Sequence, residues 1–262
     1  MFGYDLKTYG EAWAEIYDDP ILGWPDPAPA VAFLERMARP GPMVELGVGT
    51  GRIAIPLAEH GHTVIGIDSS PRMVEKLRQK PGGDNVKVVL GDFAEVDTER
   101  DAGLIFAVGQ SFLQLGSQED QLRCLMNVAT HLAPGGRFVL EALTPDLRRF
   151  RTQQDVMVSK MSVDRVLMVA SIHDPVQQTI SSQVFDWTAK EVRRFPNRIR
   201  YVWPSELDVM ARVANMHLVG RWANWEFVRY NGGQGAWVAA YEVAGSSHHL
   251  SSMANAATAG AT

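Results

Sequence analysis

The chain is short of several things, and each shortage narrows what it can be. Of 262 residues only Cys124 is a cysteine, so an internal disulfide is excluded and no cysteine cluster is available for a metal. Cys124 falls in the apolar pattern of Leu122, Leu125, Met126 and Ala129, which marks it as core. No apolar run approaches the length needed to span a bilayer. The start, Met1-Phe2-Gly3-Tyr4-Asp5, has neither the basic nor the apolar region of a signal peptide. There is no long basic run, and the net charge is −5, which argues against a broad nucleic-acid footprint. These absences lead to the expectation of a cytoplasmic, soluble protein without nucleic-acid or membrane partners; no metal is expected, and monomer and homodimer both stay open.

What is present is a 46% apolar composition, ample for one large core, and a set of loop motifs in a fixed order. The run Met43-Val44-Glu45-Leu46 is followed by Gly47, Gly49 and Gly51 at alternate positions, and then by the helical pattern Ile53 to Ala58. Strand, glycine loop and helix form the layout of a ligand site at the carboxyl edge of a parallel sheet. A second strand, His62 to Ile67, ends in Asp68, a carboxylate placed to accept both hydroxyls of a ribose. A third, Val86 to Leu90, ends in Gly91-Asp92-Phe93, where an acid and an apolar ring suit the amine and face of adenine. The fourth, Asp101 to Val108, leads into Gly109-Gln110-Ser111, and the fifth follows His131-Leu132-Ala133-Pro134-Gly135-Gly136 and carries Glu141. A nicotinamide dinucleotide fold wants its third glycine at position 52, where Arg52 stands.

With Glu45-x-Gly47-x-Gly49-x-Gly51, Asp68, Asp92-Phe93 and the Pro-Gly-Gly turn in order, the chain resembles class I S-adenosylmethionine (SAM) methyltransferases. The text Arg200-Tyr201-x-x-Pro204-x-Glu206-Leu207 is similar to a bacterial small-molecule branch that includes amino-sugar N-methyltransferases. The resemblance implies an α/β, Rossmann-like fold: a seven-stranded, mostly parallel sheet flanked by helices, with the last strand antiparallel. It implies SAM as cofactor, with Glu45, Gly47, Gly49, Gly51, Asp68, Ser69, Met73, Gly91, Asp92, Phe93 and Ala107 around it. It further implies an N-terminal aromatic lid helix, Leu6 to Tyr17, that brings Tyr9 onto the cofactor and Tyr17 toward the acceptor.

From Thr144 the pattern becomes rich in β-branched and aromatic residues, with turn signals such as Asp174-Pro175. This reads as an antiparallel β cap inserted after the fifth strand. The expected organisation is one methyltransferase domain over 1–243, with lid helices in 1–40, cofactor core in 41–143, cap in 144–203 and last helix and strands in 204–243. Residues 244–262 are Ser, Ala and Thr-rich and read as a disordered tail. For the acceptor, a small polar metabolite such as a saccharide is expected, methylated on oxygen or nitrogen. Gln110, Ser111, Arg200 and Tyr201 are its expected polar contacts, and Trp187, Trp203, Trp222 and Trp225 offer faces for a sugar ring. His173, oriented by Asp174, is the first choice of general base, with Glu141 and Tyr17 the other catalytic candidates. Two rival readings are an NAD-dependent oxidoreductase and a non-catalytic SAM-binding protein. A nucleic-acid methyltransferase is disfavoured, because Gly109-Gln110-Ser111-Phe112 stands where an Asn/Asp-Pro-Pro-Tyr/Phe motif belongs.

Overall fold

A computed structural model describes residues 1–95, 101–233 and 235–244. The Ser, Ala and Thr-rich tail lies, but for its first residue, outside the described residues. Two sheets organise the rest. The larger has seven strands: β1 (Met43–Leu46), β2 (Val64–Asp68), β3 (Lys87–Leu90), β4 (Ala102–Ala107), β5 (Leu132–Thr144), β10 (Met216–Trp222) and β11 (Gly235–Val243). Their spatial order is β10-β11-β5-β4-β1-β2-β3. The contacts from β3 through β5 are parallel, and β11 runs antiparallel to both β5 and β10. This is the seven-stranded fold that the motifs imply.

Strands β1, β2 and β4 are buried along their whole length, because helices cover both sheet faces. Helices α2 (Ala28–Met37) and α3 (Ala54–Glu59) join one apolar layer around Phe33, Leu57 and Phe106. On the other face, α5 (Gln118–His131) and α6 (Pro204–Val213) join a layer around Phe112, Phe138 and Trp237, and Cys124 is buried there. Helix α4 (Pro71–Arg78) starts where its sequence says it should: Ser70 Oγ accepts from Met73 N at 3.2 Å, and Pro71 takes the first helical position.

Three elements differ from the sequence pattern. The N-terminal helix, α1, is only Thr8–Trp13, and α3 begins at Ala54 rather than Ile53. Strand β5 starts before the Pro-Gly-Gly turn. Its register against β4 jumps from Leu132 to Arg137, so the turn becomes a bulge within the strand.

The second sheet, β6 (Gln154–Met161), β7 (Arg165–Asp174), β8 (Thr179–Thr188) and β9 (Val192–Arg200), is an antiparallel meander in sequence order. One face is buried through Leu167, Ser171, His173, Asp186, Phe195 and Ile199. Trp13 of α1 packs on Phe195 at 5.3 Å and donates Nε1–H to Pro196 O at 2.8 Å, tying the N-terminal segment to β9.

Candidate active site

A cleft of about 780 Å³, counting the part open to solvent, lies along the carboxyl ends of the parallel strands. Its floor is built from the loops after β1, β2, β3 and β4: Gly47 and Gly49, Asp68 and Ser69, Gly91 to Phe93, and Gly109 with Ser111. The N-terminal segment covers it with Tyr4, Leu6, Tyr9 and Tyr17. Parallel strands end at one edge, so motifs far apart in the chain converge there.

The glycine loop works through particular positions. Gly49 has a left-handed φ of 54°, and a Cβ there would meet only the Tyr17 ring, at 4.0 Å. Its main chain therefore lies open to a ligand. Gly51 does not line the cleft. A Cβ there would press on Ile55 at 2.8 Å and on Leu77 at 3.0 Å, so this glycine lets α3 and α4 pack closely behind the loop.

Asp68, at the end of β2, accepts from Gly49 N at 2.7 Å and from Ser70 N at 2.9 Å. Burial pushes its pKa up, against the pull of those N–H groups. Ser69 lines the cleft and donates Oγ–H to Leu6 O at 2.9 Å, and Met73 lines it from α4. Ser70 donates to Glu11 Oε1 at 2.6 Å, and Arg72 Nη1 donates to Glu11 O at 2.9 Å, so α1 is latched to the start of α4. Asp92 accepts from Ala94 N at 2.9 Å, a turn-capping bond, while facing the cleft beside Phe93.

Glu45, Ala107, Gln110 and Glu141 are near this edge but do not line the cleft. Glu45 is buried, its Oε2 has no hydrogen-bond partner, and burial pushes its pKa up to about 8 although Arg52 pulls it down. Ala107 is fully buried in the core. Gln110 takes a left-handed conformation, φ 68°, just ahead of Ser111. Glu141 accepts from Gly109 N at 2.7 Å, and burial raises its pKa. It braces the loop after β4 from the first residue of β5 beyond the register with Ala107.

The expected acceptor and base residues of the second sheet are elsewhere. His173 is buried, with Nε2 3.1 Å from the Tyr201 hydroxyl and its ring 5.0 Å from Phe150. Burial holds its pKa below the ordinary histidine value. Asp174 does not orient it: that carboxylate accepts Val176 N and Gln177 N in the β7–β8 turn. Tyr201 is core, and Arg200 donates to Glu206 at 2.6 Å. Trp187 and Trp203 are exposed, while Trp222 and Trp225 pack on Phe33 behind the sheet. Tyr17 does line the cleft, but burial pushes its phenol up to about 12, which makes it a donor rather than a base at neutral pH.

Sequence reasoning missed Tyr4 and Gln114. Tyr4 donates to Gln114 Oε1 at 3.0 Å and accepts from Arg198 N at 3.2 Å, and Gln114 Nε2 donates to Asn197 at 3.0 Å. Gln114 follows the same strand end that singled out Gln110 and Ser111. Extending that rule by one turn would have found it.

The family model for a methyltransferase domain matches residues 43–136. The chain is 37% identical to the CcbJ methyltransferase of Streptomyces caelestis, whose structure superposes with a TM-score of 0.86 over 92% of this chain and 100% of that one. The chain belongs to the SAM-dependent methyltransferases. This methyltransferase is also 26% identical to the cypemycin N-terminal methyltransferase of a Streptomyces species, over 82% of this chain and 89% of that one. It shares its fold with CalS10, an amino pentose methyltransferase of Micromonospora echinaspora, at TM-score 0.58 and 17% identity over 91% of this chain and 92% of that one. SAM is thus the cofactor, and the NAD-dependent reading falls away. Among the described residues no helix is long and apolar enough to cross a membrane.

Proposed function

We propose that this methyltransferase transfers the methyl group of SAM to an amine nitrogen of a small polar acceptor. The observation that carries the reading is the chemistry of the cleft lining. Among the described lining residues there is no histidine, and the carboxylates Asp5, Asp68 and Asp92 each accept main-chain N–H groups. Tyr17 holds its proton well above neutral pH, as does Tyr4. A hydroxyl acceptor needs a base, whereas an uncharged amine needs only to be positioned in line with the methyl group and kept from water. The name of the cypemycin relative, an N-terminal methyltransferase, agrees with nitrogen as the nucleophile.

In this reading Asp68 holds the ribose, Asp92 and Phe93 take the adenine, and the Gly47–Gly49 main chain takes the amino-acid end. Glu45, whose buried Oε2 is unpartnered, stands on β1 behind the loop that takes the cofactor's amino-acid end. Bound SAM supplies an electrophilic methyl on a sulfonium. Tyr4, Tyr17, Ser111 and Gln114 hold the acceptor, and α1 with its latch to α4 excludes water. The sugar-stacking role expected of the tryptophans is not carried forward, since none of them lines the cleft.

The test is transfer of labelled methyl from SAM across a panel of small amines and their matched alcohols. Transfer to amines is expected. His173→Ala should retain that transfer, whereas loss of a general base costs about 10²–10⁴-fold. Transfer confined to alcohols would overturn the nitrogen assignment, and SAM binding with no transfer would favour a binding protein.

A further inference from the structure

A chain of hydrogen bonds at the cleft fixes which way one amide faces. Gln114 closes the turn Ser111–Gln114 that follows β4, and it lines the cleft with Ser111 and Tyr4. Arg198 N, on β9, donates to the Tyr4 hydroxyl at 3.2 Å. A main-chain N–H is only a donor, so the Tyr4 proton points onward, to Gln114 Oε1 at 3.0 Å. Gln114 Nε2 in turn donates to Asn197 Oδ1, also on β9, at 3.0 Å. Turning the Gln114 amide over would set its N–H groups against Tyr4 and leave the Tyr4 proton without this acceptor. Burial pushes the Tyr4 phenol up to about 12, so that proton is present at neutral pH. The Gln114 carbonyl is thus held in one sense, with one lone pair taken by Tyr4 and one left. Ser111 uses its O–H on Val108 O at 2.9 Å and keeps lone pairs only. The β4 side of the cleft therefore offers two uncharged side-chain oxygens as acceptors. The carboxylates stand elsewhere. Asp68 ends β2, Asp92 follows β3, and Asp5 is taken up by Lys7 N, Thr8 N and Thr8 Oγ. Burial keeps Tyr9 and Tyr17 protonated, and Arg198 sends its guanidinium over Gly116.

We propose that Gln114 Oε1 takes an N–H of the acceptor amine, and that Tyr4 and Asn197 are the positioning residues that aim it. This rests on the amine reading above. An amine attacks through its lone pair, so the enzyme orients it by its N–H groups, and those need hydrogen-bond acceptors. The charge of the acceptor matters as much as its place. A carboxylate beside the amine would favour the ammonium, which has no lone pair to give. A neutral amide oxygen orients the same N–H with far less pull toward the charged form. Glutamine rather than glutamate at position 114 thus keeps the bound amine nucleophilic, and the Tyr4 proton keeps the oxygen end of that glutamine in its fixed direction.

The experiment uses the full chain and the amine of the panel to which methyl transfer is fastest. Gln114→Glu should move the acid limb of the kcat profile, which reports the bound amine, up by about 1–3 pH units. Binding of the same amine to the chain loaded with S-adenosylhomocysteine gives a second readout, by calorimetry in buffers of differing ionisation heat. At pH 7 wild type should release about one proton per amine bound, and Gln114→Glu should release less. Tyr4→Phe keeps the ring but frees the Gln114 amide. It should lower kcat/KM for the amine roughly 3- to 10-fold, with SAM affinity unchanged. In a Gln114→Ala background the same change should cost nothing further, because Tyr4 acts through Gln114. An acid limb and a proton count that Gln114→Glu leaves in place would overturn the proposal, as would additive losses from Tyr4→Phe and Gln114→Ala. Either result leaves the amine reading standing, whereas transfer confined to alcohols overturns both.

Discussion

Two carboxylates decide most of the chemistry at the scale of single residues. Asp68 is fastened by Gly49 N and Ser70 N, so it is pre-set at the end of β2 before any ligand arrives. Asp68→Ala is expected to weaken SAM binding by roughly 1.5–3 kcal/mol, the loss of charge-assisted bonds. Calorimetry that finds wild-type affinity would remove Asp68 from the ribose. Glu45 is the opposite case, a carboxyl buried without a full set of partners. Burial raises it from 4.5 to about 8. Between those values the folded, ligand-free chain keeps a proton that the unfolded chain has released. Stability therefore falls as pH rises through that window, by up to roughly 5 kcal/mol. Glu45→Gln should flatten the slope in a melting series from about pH 5 to pH 8. An identical slope in the variant would show that the carboxyl is not protonated there.

At the scale of elements, ion pairs fasten the second sheet to the N-terminal segment. Asp186 is fully buried and accepts from Arg165 at 2.6 and 2.9 Å and from Arg193 at 2.7 Å. Arg165 also reaches Asp19, in the proline-rich joint after the N-terminal helix, at 2.7 Å. Burial pushes the Asp186 carboxyl up, but the arginine bonds outweigh it and hold the pKa below the ordinary value. Asp186→Ala leaves Arg165 and Arg193 without their shared anion, and is expected to cost about 3–5 kcal/mol in urea unfolding. Hydrogen exchange should rise in the segment 4–24 as well as in β8. Protection unchanged in 4–24 would mean that the joint is held by other contacts.

For the molecule as a whole, the N-terminal segment, the glycine loop and the sheet edge make one unit around the cleft. SAM at 100 times its Kd should add about 2.7 kcal/mol to the stability of the folded state, and NAD should add nothing. A melting temperature raised by NAD and not by SAM would contradict the assignment of the cleft. How far this unit was legible beforehand differs along the chain. The Gly47–Gly51 loop, Asp68 and Asp92-Phe93 were readable because each ends or follows a short parallel strand, and parallel strands bring their carboxyl ends to one edge. Helical spacing marked Tyr9 and Tyr17 as one aromatic stripe, and the family resemblance implied that the stripe meets the cofactor; both line the cleft, although the helix proper stops at Trp13.

The sequence by itself determined the order of strands and helices, the fold class and the cofactor. The order of elements follows from local signals, apolar runs, caps and turn residues within a few positions of one another, and the fold class and cofactor follow from the resemblance of the ordered loop motifs to SAM methyltransferases. Which face of β7 and β8 looks inward was decided only in three dimensions. Alternation shows that Ser171 and His173 share a face, but it does not show what that face meets. In the structure it meets Phe150 and the Tyr201 hydroxyl, so the histidine that looked catalytic is a hydrogen-bonded core residue. Arg200 and Tyr201 follow the same rule, since their partners Glu206 and His173 lie on other elements. Tyr4 is the converse case: it folds back to meet Gln114, distant by 110 residues in sequence, and no local pattern records a contact of that separation.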